Sequence, residues 1–201
     1  MKNLILIMIL FNSDNLLADE QNIKLVLGQV YDFARGYDNK QDRVKTNDDP
    51  TEIGIEYNYF INDKFSFGFS YGQIESEYAL VEKDPVEVEL GTFKTRYKPI
   101  QVKFNYWFSE NKHGKFSGFF KYGSGALTFD KSELKSSNAS IVTFGVEYDY
   151  SLRDNIILSG EVGLRKVTTQ RITYKAIDIN GDEITSKYRL PFFSIGIGYS
   201  F

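Results

Sequence analysis

Apolar and polar residues alternate through eight stretches of the chain, most plainly in the last. Over residues 190–201, L-P-F-F-S-I-G-I-G-Y-S-F, one parity carries Phe193, Ile195, Ile197, Tyr199 and Phe201, and the other carries Ser194, Gly196, Gly198 and Ser200. A strand sends successive side chains to opposite faces. One face is therefore large and apolar, and the other is nearly bare. This suits a strand of a transmembrane barrel, with lipid outside and a narrow, crowded lumen inside. A soluble sheet with one buried face is the competing explanation.

Seven earlier stretches follow the same rule. In the first, Ile23, Leu25, Leu27, Tyr31 and Phe33 oppose Lys24, Gly28 and Asp32. In the second, Ile53, Ile55, Tyr57, Tyr59 and Ile61 oppose Glu52, Gly54, Glu56 and Asn58. In the third, Phe65, Phe67, Phe69 and Tyr71 oppose Ser66, Gly68, Ser70 and Gly72. In the fourth, Ile100, Val102, Phe104, Tyr106 and Phe108 oppose Gln101, Lys103, Asn105 and Trp107. In the fifth, Phe116, Phe120, Tyr122 and Ala126 oppose Ser117, Phe119, Lys121, Gly123 and Gly125. In the sixth, Val142, Phe144, Val146, Tyr148 and Tyr150 oppose Thr143, Gly145, Glu147 and Asp149. In the seventh, Ile156, Leu158, Val162 and Leu164 oppose Ser159, Glu161, Gly163 and Arg165.

The breaks between these stretches alternate in length. Residues 62–64, 109–115 and 153–155 read as short polar turns. Residues 36–50 and 130–138 read as polar loops. The excursions 74–98 and 167–189 read as strand ends rising beyond a membrane, the second with Asn180-Gly181, a hairpin signal, at its tip. Short periplasmic turns and longer external loops are the barrel pattern, and an even strand count leaves both termini on the periplasmic side. Phe119 and Trp107 aside, the inner parity reads as Gly, Ser, Thr, Asn and charge, small enough for a narrow lumen. Tyr57, Tyr59, Tyr106, Phe108, Phe116, Tyr148, Tyr150, Tyr199 and Phe201 lie near short turns or the C-terminus and predict one aromatic girdle. Tyr31, Tyr71, Tyr97 and Tyr188 predict the other. The fold expected is all-β, an eight-stranded antiparallel transmembrane β-barrel.

Composition adds three limits. Lys2 followed by the uncharged residues 4–11 reads as a secretory signal over 1–18, leaving 19–201 as the barrel domain. Its apolar core is too short to span a bilayer as a helix. The absence of cysteine removes disulfides, thiolate metal sites and cysteine nucleophiles, and a formal net charge of -3 gives no field for nucleic acid.

The signal, the eight amphipathic strands and the final Tyr-Ser-Phe resemble the small Gram-negative outer-membrane barrels of the OmpA, OmpX and opacity-protein type. The resemblance covers residues 22–201 and concerns architecture. It implies location in the outer membrane, contact with membrane lipid and lipopolysaccharide, and presentation of the C-terminal strand to the insertion machinery. It carries over no functional residue.

Two sets of residues stand out as sites. Glu52, Glu56, Glu147, Asp149 and Glu161 share the inner parity with Lys103, Lys121 and Arg165. Buried charges need partners, so a salt-bridged plug is expected in preference to a conducting path. On the external excursions, Lys94, Arg96, Lys98, Arg171, Lys175, Lys187 and Arg189 are candidates for contact with lipopolysaccharide phosphates or a host or surface macromolecule. The sole histidine, His113, falls on a periplasmic turn, so a lipid A-modifying Ser-His-Asp site is unsupported. Residues 178–183 lack the spacing of a calcium loop. No cofactor or metal is expected. The function expected is non-enzymatic, structural in the envelope or interactive at the surface through loops. The alternative is an OmpW-like conduit for small hydrophobic molecules, which an apolar lumen at the extracellular end would favour.

Overall fold

The computed structural model describes residues 21–30, 44–46, 50–82, 88–111, 113–130, 137–153, 155–169 and 187–201. The secretory signal read over residues 1–18 lies outside them. The strands are β1 (Gln21–Val30), β2 (Val44–Thr46), β3 (Thr51–Asn62), β4 (Phe65–Glu82), β5 (Val88–Asn111), β6 (Gly114–Phe129), β7 (Ser137–Arg153), β8 (Ile156–Thr169) and β9 (Lys187–Ser200). All but β2 form an antiparallel ring. β1 pairs with β3 and β9, and from β3 to β9 each strand pairs with the next. Where the ring meets itself, the backbones of Gln21 and Phe201 exchange hydrogen bonds of 3.0 and 2.9 Å. Closure leaves the ring itself without an unpaired edge among the described residues, and the hydrocarbon of a bilayer would not tolerate one.

A tilted strand spans a bilayer in about 10 residues. β4 has 18 and β5 has 24, and they stay paired from Phe65↔Tyr106 out to Glu82↔Val88. The two therefore continue as a hairpin past the apolar band. β2 pairs with the far end of β4, Val44 opposite Leu80, within the stretch 36–50 that the sequence presents as a loop.

The outer face is apolar all round. Leu25, Ile55, Phe69, Phe104, Phe144, Val162 and Ile197 are all exposed there. A continuous apolar belt on a folded surface demands an apolar surround. Tyr106, Phe108, Phe116, Tyr150, Tyr199 and Phe201 are exposed on the same face, at the end with the short turns and the C-terminus. Tyr57, Tyr59 and Tyr148 complete that girdle, partly covered by neighbours.

The inner face departs from expectation in two respects. Tyr97 does not join an external girdle. It is buried inside, and its hydroxyl donates to the Ala139 carbonyl at 3.0 Å. Its parity is opposite to that of Ile100 and Val102, and its partners Ile74 and Leu127 also face inward. Tyr71 is exposed outside, as expected, while the side chains of Tyr31 and Tyr188 lie outside the described residues. The inner parity is also less polar than Gly, Ser, Thr, Asn and charge. Val26, Phe60, Ile74, Phe93, Leu127, Ala139, Ile141, Ile157 and Phe192 are buried there beside Phe119 and Trp107. β7 begins at Ser137, earlier than its alternating run suggested, which brings Ala139 and Ile141 into the wall.

Candidate functional site: the lumen and the extracellular rim

The inward side chains form three tiers. Nearest the short turns, Phe60 and Trp107 stack at 5.4 Å, and the Trp107 indole N–H donates to Ser66 at 3.0 Å. Farthest from them, Ile74, Tyr97, Leu127, Ala139 and Ile141 pack together, with Phe129 and Val167 against them. Between these apolar tiers lie the charges.

The centre is a square of two lysines and two glutamates. Lys103 Nζ lies 2.7 Å from Glu56 Oε2 and 2.7 Å from Glu161 Oε1. Lys121 Nζ bonds the remaining oxygens, Glu56 Oε1 and, at 2.8 Å, Glu161 Oε2. Lys103 makes a third contact, 3.0 Å to Glu147 Oε2. The Lys103 ammonium donates hydrogen bonds to Glu56 and Glu161 and has a third carboxylate, Glu147, beside it. The Phe119 ring lies against both ammonium groups, 5.3 Å from Lys103 and 5.1 Å from Lys121, a cation–π arrangement.

Two outer pairs extend the square. Toward the short turns, Lys24 Nζ is 2.6 Å from Glu147 Oε1 and 2.6 Å from Asp149 Oδ2. Glu147 Oε2 also accepts from the Asn105 amide at 2.8 Å. Toward the far end, Arg165 Nη2 meets Glu52 Oε2 at 2.7 Å, with its guanidinium 4.7 Å from the Phe192 ring. Lys24, Lys103 and Glu147 are essentially inaccessible to solvent. Charges so buried persist only with close partners.

The backbone makes room for this network. Gly145 and Gly163 face each other across β7 and β8, two register positions from Glu147 and Glu161 and on the same face. A Cβ on Gly145 would come within 2.8 Å of the Gly163 Cα, so no larger residue fits.

The structure thus gathers Glu52, Glu56, Lys103, Lys121, Glu147, Asp149, Glu161 and Arg165 into one region and adds Lys24. The sequence places Lys24 on the inner parity. Its partners are on β7, which is not a neighbour of β1 in the ring, so no local spacing could pair them. The carboxylates of Glu56, Glu147 and Glu161 also converge closely enough to hold a metal ion. The Lys103 ammonium already contacts all three, so a divalent ion would have to displace it.

On the outer face of β5, Lys94, Arg96 and Lys98 are exposed. Lys94 pairs with Glu77 at 3.6 Å and Arg96 with Glu75 at 2.8 Å, both across the β4–β5 hairpin. Lys98 makes no ion pair among the described residues. It is the first outward residue beyond Ile100 at the edge of the apolar belt. Lys166 holds the same place beyond Leu164 on β8 and is likewise unpaired among the described residues; Arg189 lies opposite it on β9. Of Arg189 and Lys187 only the backbone is described, and Arg171 and Lys175 lie outside the described residues. His113 is exposed on the β5–β6 turn, beside the Tyr150 ring.

The sequence matches the family described as outer membrane protein beta-barrel domain over residues 8–201. No curated protein matches the chain. Similar solved structures include Ail, the attachment invasion locus protein of Yersinia pestis, in complex with the heparin analogue sucrose octasulfate. It is 13% identical, covers 92% of this chain and 100% of its own, and has a TM-score of 0.53. OprG of Pseudomonas aeruginosa is 17% identical, with coverage of 92% and 96% and a TM-score of 0.52. Outer membrane protein W of E. coli is 13% identical, with coverage of 92% and 98% and a TM-score of 0.52.

Proposed function

We propose that this chain, which belongs to the outer membrane protein beta-barrel domain family, is a sealed, non-enzymatic barrel that works at the cell surface. It sits in the outer membrane, and its lumen is a plug. The work falls to the cationic rim, which engages anionic sugars: lipopolysaccharide phosphates in its own leaflet, or a sulfated or phosphorylated surface polysaccharide.

The supporting observation is a contrast between two sets of charges. Each lumen cation has carboxylate partners within 3.0 Å. Lys98 and Lys166 have none among the described residues, and both stand at the boundary where lipid phosphates lie. A lysine in that position attracts phosphate or sulfate as a point charge. In this reading Arg171, Lys175, Lys187 and Arg189 widen the same field, while Lys94 and Arg96 are already held by Glu77 and Glu75. The exposed Tyr199 of β9 and Phe201 just after it present the strand offered to the insertion machinery.

The experiment is retention of the purified barrel on immobilised heparin and its co-purification with lipopolysaccharide. Lys98→Gln with Lys166→Gln should lower both several-fold and reduce their salt dependence. Unchanged retention in that variant would overturn the assignment of the rim.

The apolar tier supports a second reading, a conduit for small hydrophobic molecules. Its extracellular position is what such a conduit needs. The charged tier blocks a path straight through, so uptake of an apolar dye by cells expressing the protein should equal that of cells lacking it. Faster uptake would favour the conduit.

A further inference from the structure

We propose that the outer face of β6 to β8 holds one phospholipid of the periplasmic leaflet, with an acyl chain in a groove floored by Gly118 and the phosphate at Arg153. This is independent of the rim reading, because it concerns the opposite end of the barrel.

The groove is made by an omission. Most glycines of the barrel wall face inward, where partner backbone lies close. Gly118 and Gly160 have outward parity, and a side chain there would meet open space. A Cβ on Gly118 would find its nearest neighbour, the Gly145 carbonyl, 4.0 Å away; one on Gly160 would find nothing within 4 Å. Gly118 lies between Tyr106 on β5 and Val146 on β7, and Gly160 between Tyr148 on β7 and Ile195 on β9. The two dents therefore flank β7 on neighbouring strands.

The walls are hydrocarbon and aromatic. Phe104, Tyr106, Phe120, Phe144, Val146 and Leu164 stand around Gly118, each between 43% and 52% exposed. A bare glycine between bulky neighbours admits an occupant close to the backbone. The belt lies in lipid, so an acyl chain is the occupant at hand.

Charge fixes which lipid end lies where. β7 runs from Val146 through Tyr148 and Tyr150 to Arg153 at the short-turn end. Arg153 is exposed and has no ion pair among the described residues. Seven residues of strand at about 3.3 Å each and a tilt near 40° place it roughly 18 Å below the groove. That is close to half the ~30 Å hydrocarbon thickness, the depth of one leaflet. A guanidinium at that depth offers two parallel donors to a phosphate.

The test is native mass spectrometry of the full mature chain, refolded in detergent and supplied with phosphatidylethanolamine. The wild type should retain a one-to-one adduct. Gly118→Leu with Gly160→Leu fills the dents without steric conflict and should cut the adduct at least five-fold while the folded, unboiled gel band persists. Arg153→Gln should weaken the adduct and leave the fold intact. Equal adduct in the leucine variant would overturn the proposal. So would a wild-type dimer that the leucine variant abolishes, since the groove would then be a contact between copies.

Discussion

Lys24 and Glu147 are 123 positions apart in the chain, and their charged groups lie 2.6 Å apart inside the barrel. They belong to β1 and β7, which are not adjacent in the ring, so the pair bridges the lumen. Asp149 shares the same ammonium. Lys24→Met leaves the two carboxylates with one fewer cation in a site without solvent. Breaking a buried pair in this way costs on the order of 3–5 kcal/mol. Denaturant unfolding in micelles, followed by the gel shift between folded and unfolded bands, should show that loss. Adding Glu147→Gln and Asp149→Asn should recover a large part of it, because the uncompensated charges are removed.

The central square gives a different expectation. Lys103, Lys121, Glu56 and Glu161 neutralise one another. Replacing all four by glutamine or methionine removes two positive and two negative charges together. Such exchanges of buried ion networks for neutral residues are often nearly neutral in stability. The barrel should still fold, and because glutamine and methionine keep the side-chain volume between the two apolar tiers, it should stay closed. Planar-bilayer recording of this variant should show no channel steps.

The apolar tier is open to simple truncation. Ile141 is completely buried. Ile141→Ala should cost about 2–4 kcal/mol, as cavity-forming core changes do. Tyr97→Phe should cost about 1 kcal/mol for its lost hydrogen bond to Ala139. Equilibrium unfolding in urea checks both. No effect from either would mean that this tier is not packed.

Gly145→Val tests the tightness of the wall. The new side chain would collide with β8 at Gly163, where a Cβ alone comes within 2.8 Å. The expected result is a large fall in the yield of the fast-migrating unboiled band. Gly118→Leu, on the outer face, should leave that yield unchanged.

The outer face was legible in the sequence because lipid imposes one rule on every strand. Ile55, Phe69, Phe104 and Ile197 all obey it, and counting by twos finds them. The inner face was less legible because it obeys several rules at different heights. Tyr97 illustrates the difficulty. Proximity to the external end suggested a girdle, while strict parity from Ile100 through Pro99 puts it inside. Ala139 and Ile141 were hidden by a charged stretch that read as a loop up to residue 138. The carboxylates and cations of the lumen could be recognised by type and parity. Their pairing could not, because which strands face each other across a closed ring depends on the stagger of all eight. Lys24 is the clearest instance: its face was evident and its partners were not.

The central claim is that the lumen is sealed by charge pairs between two apolar tiers, so that the protein's work lies outside the barrel. Single-channel recording of the wild-type chain in planar bilayers tests it most directly. The account predicts a quiet membrane for the wild type, and an equally quiet one once Glu56, Lys103, Lys121 and Glu161 are replaced together by residues of similar volume. Stable, resolved steps from the wild type would contradict it and make the barrel a channel.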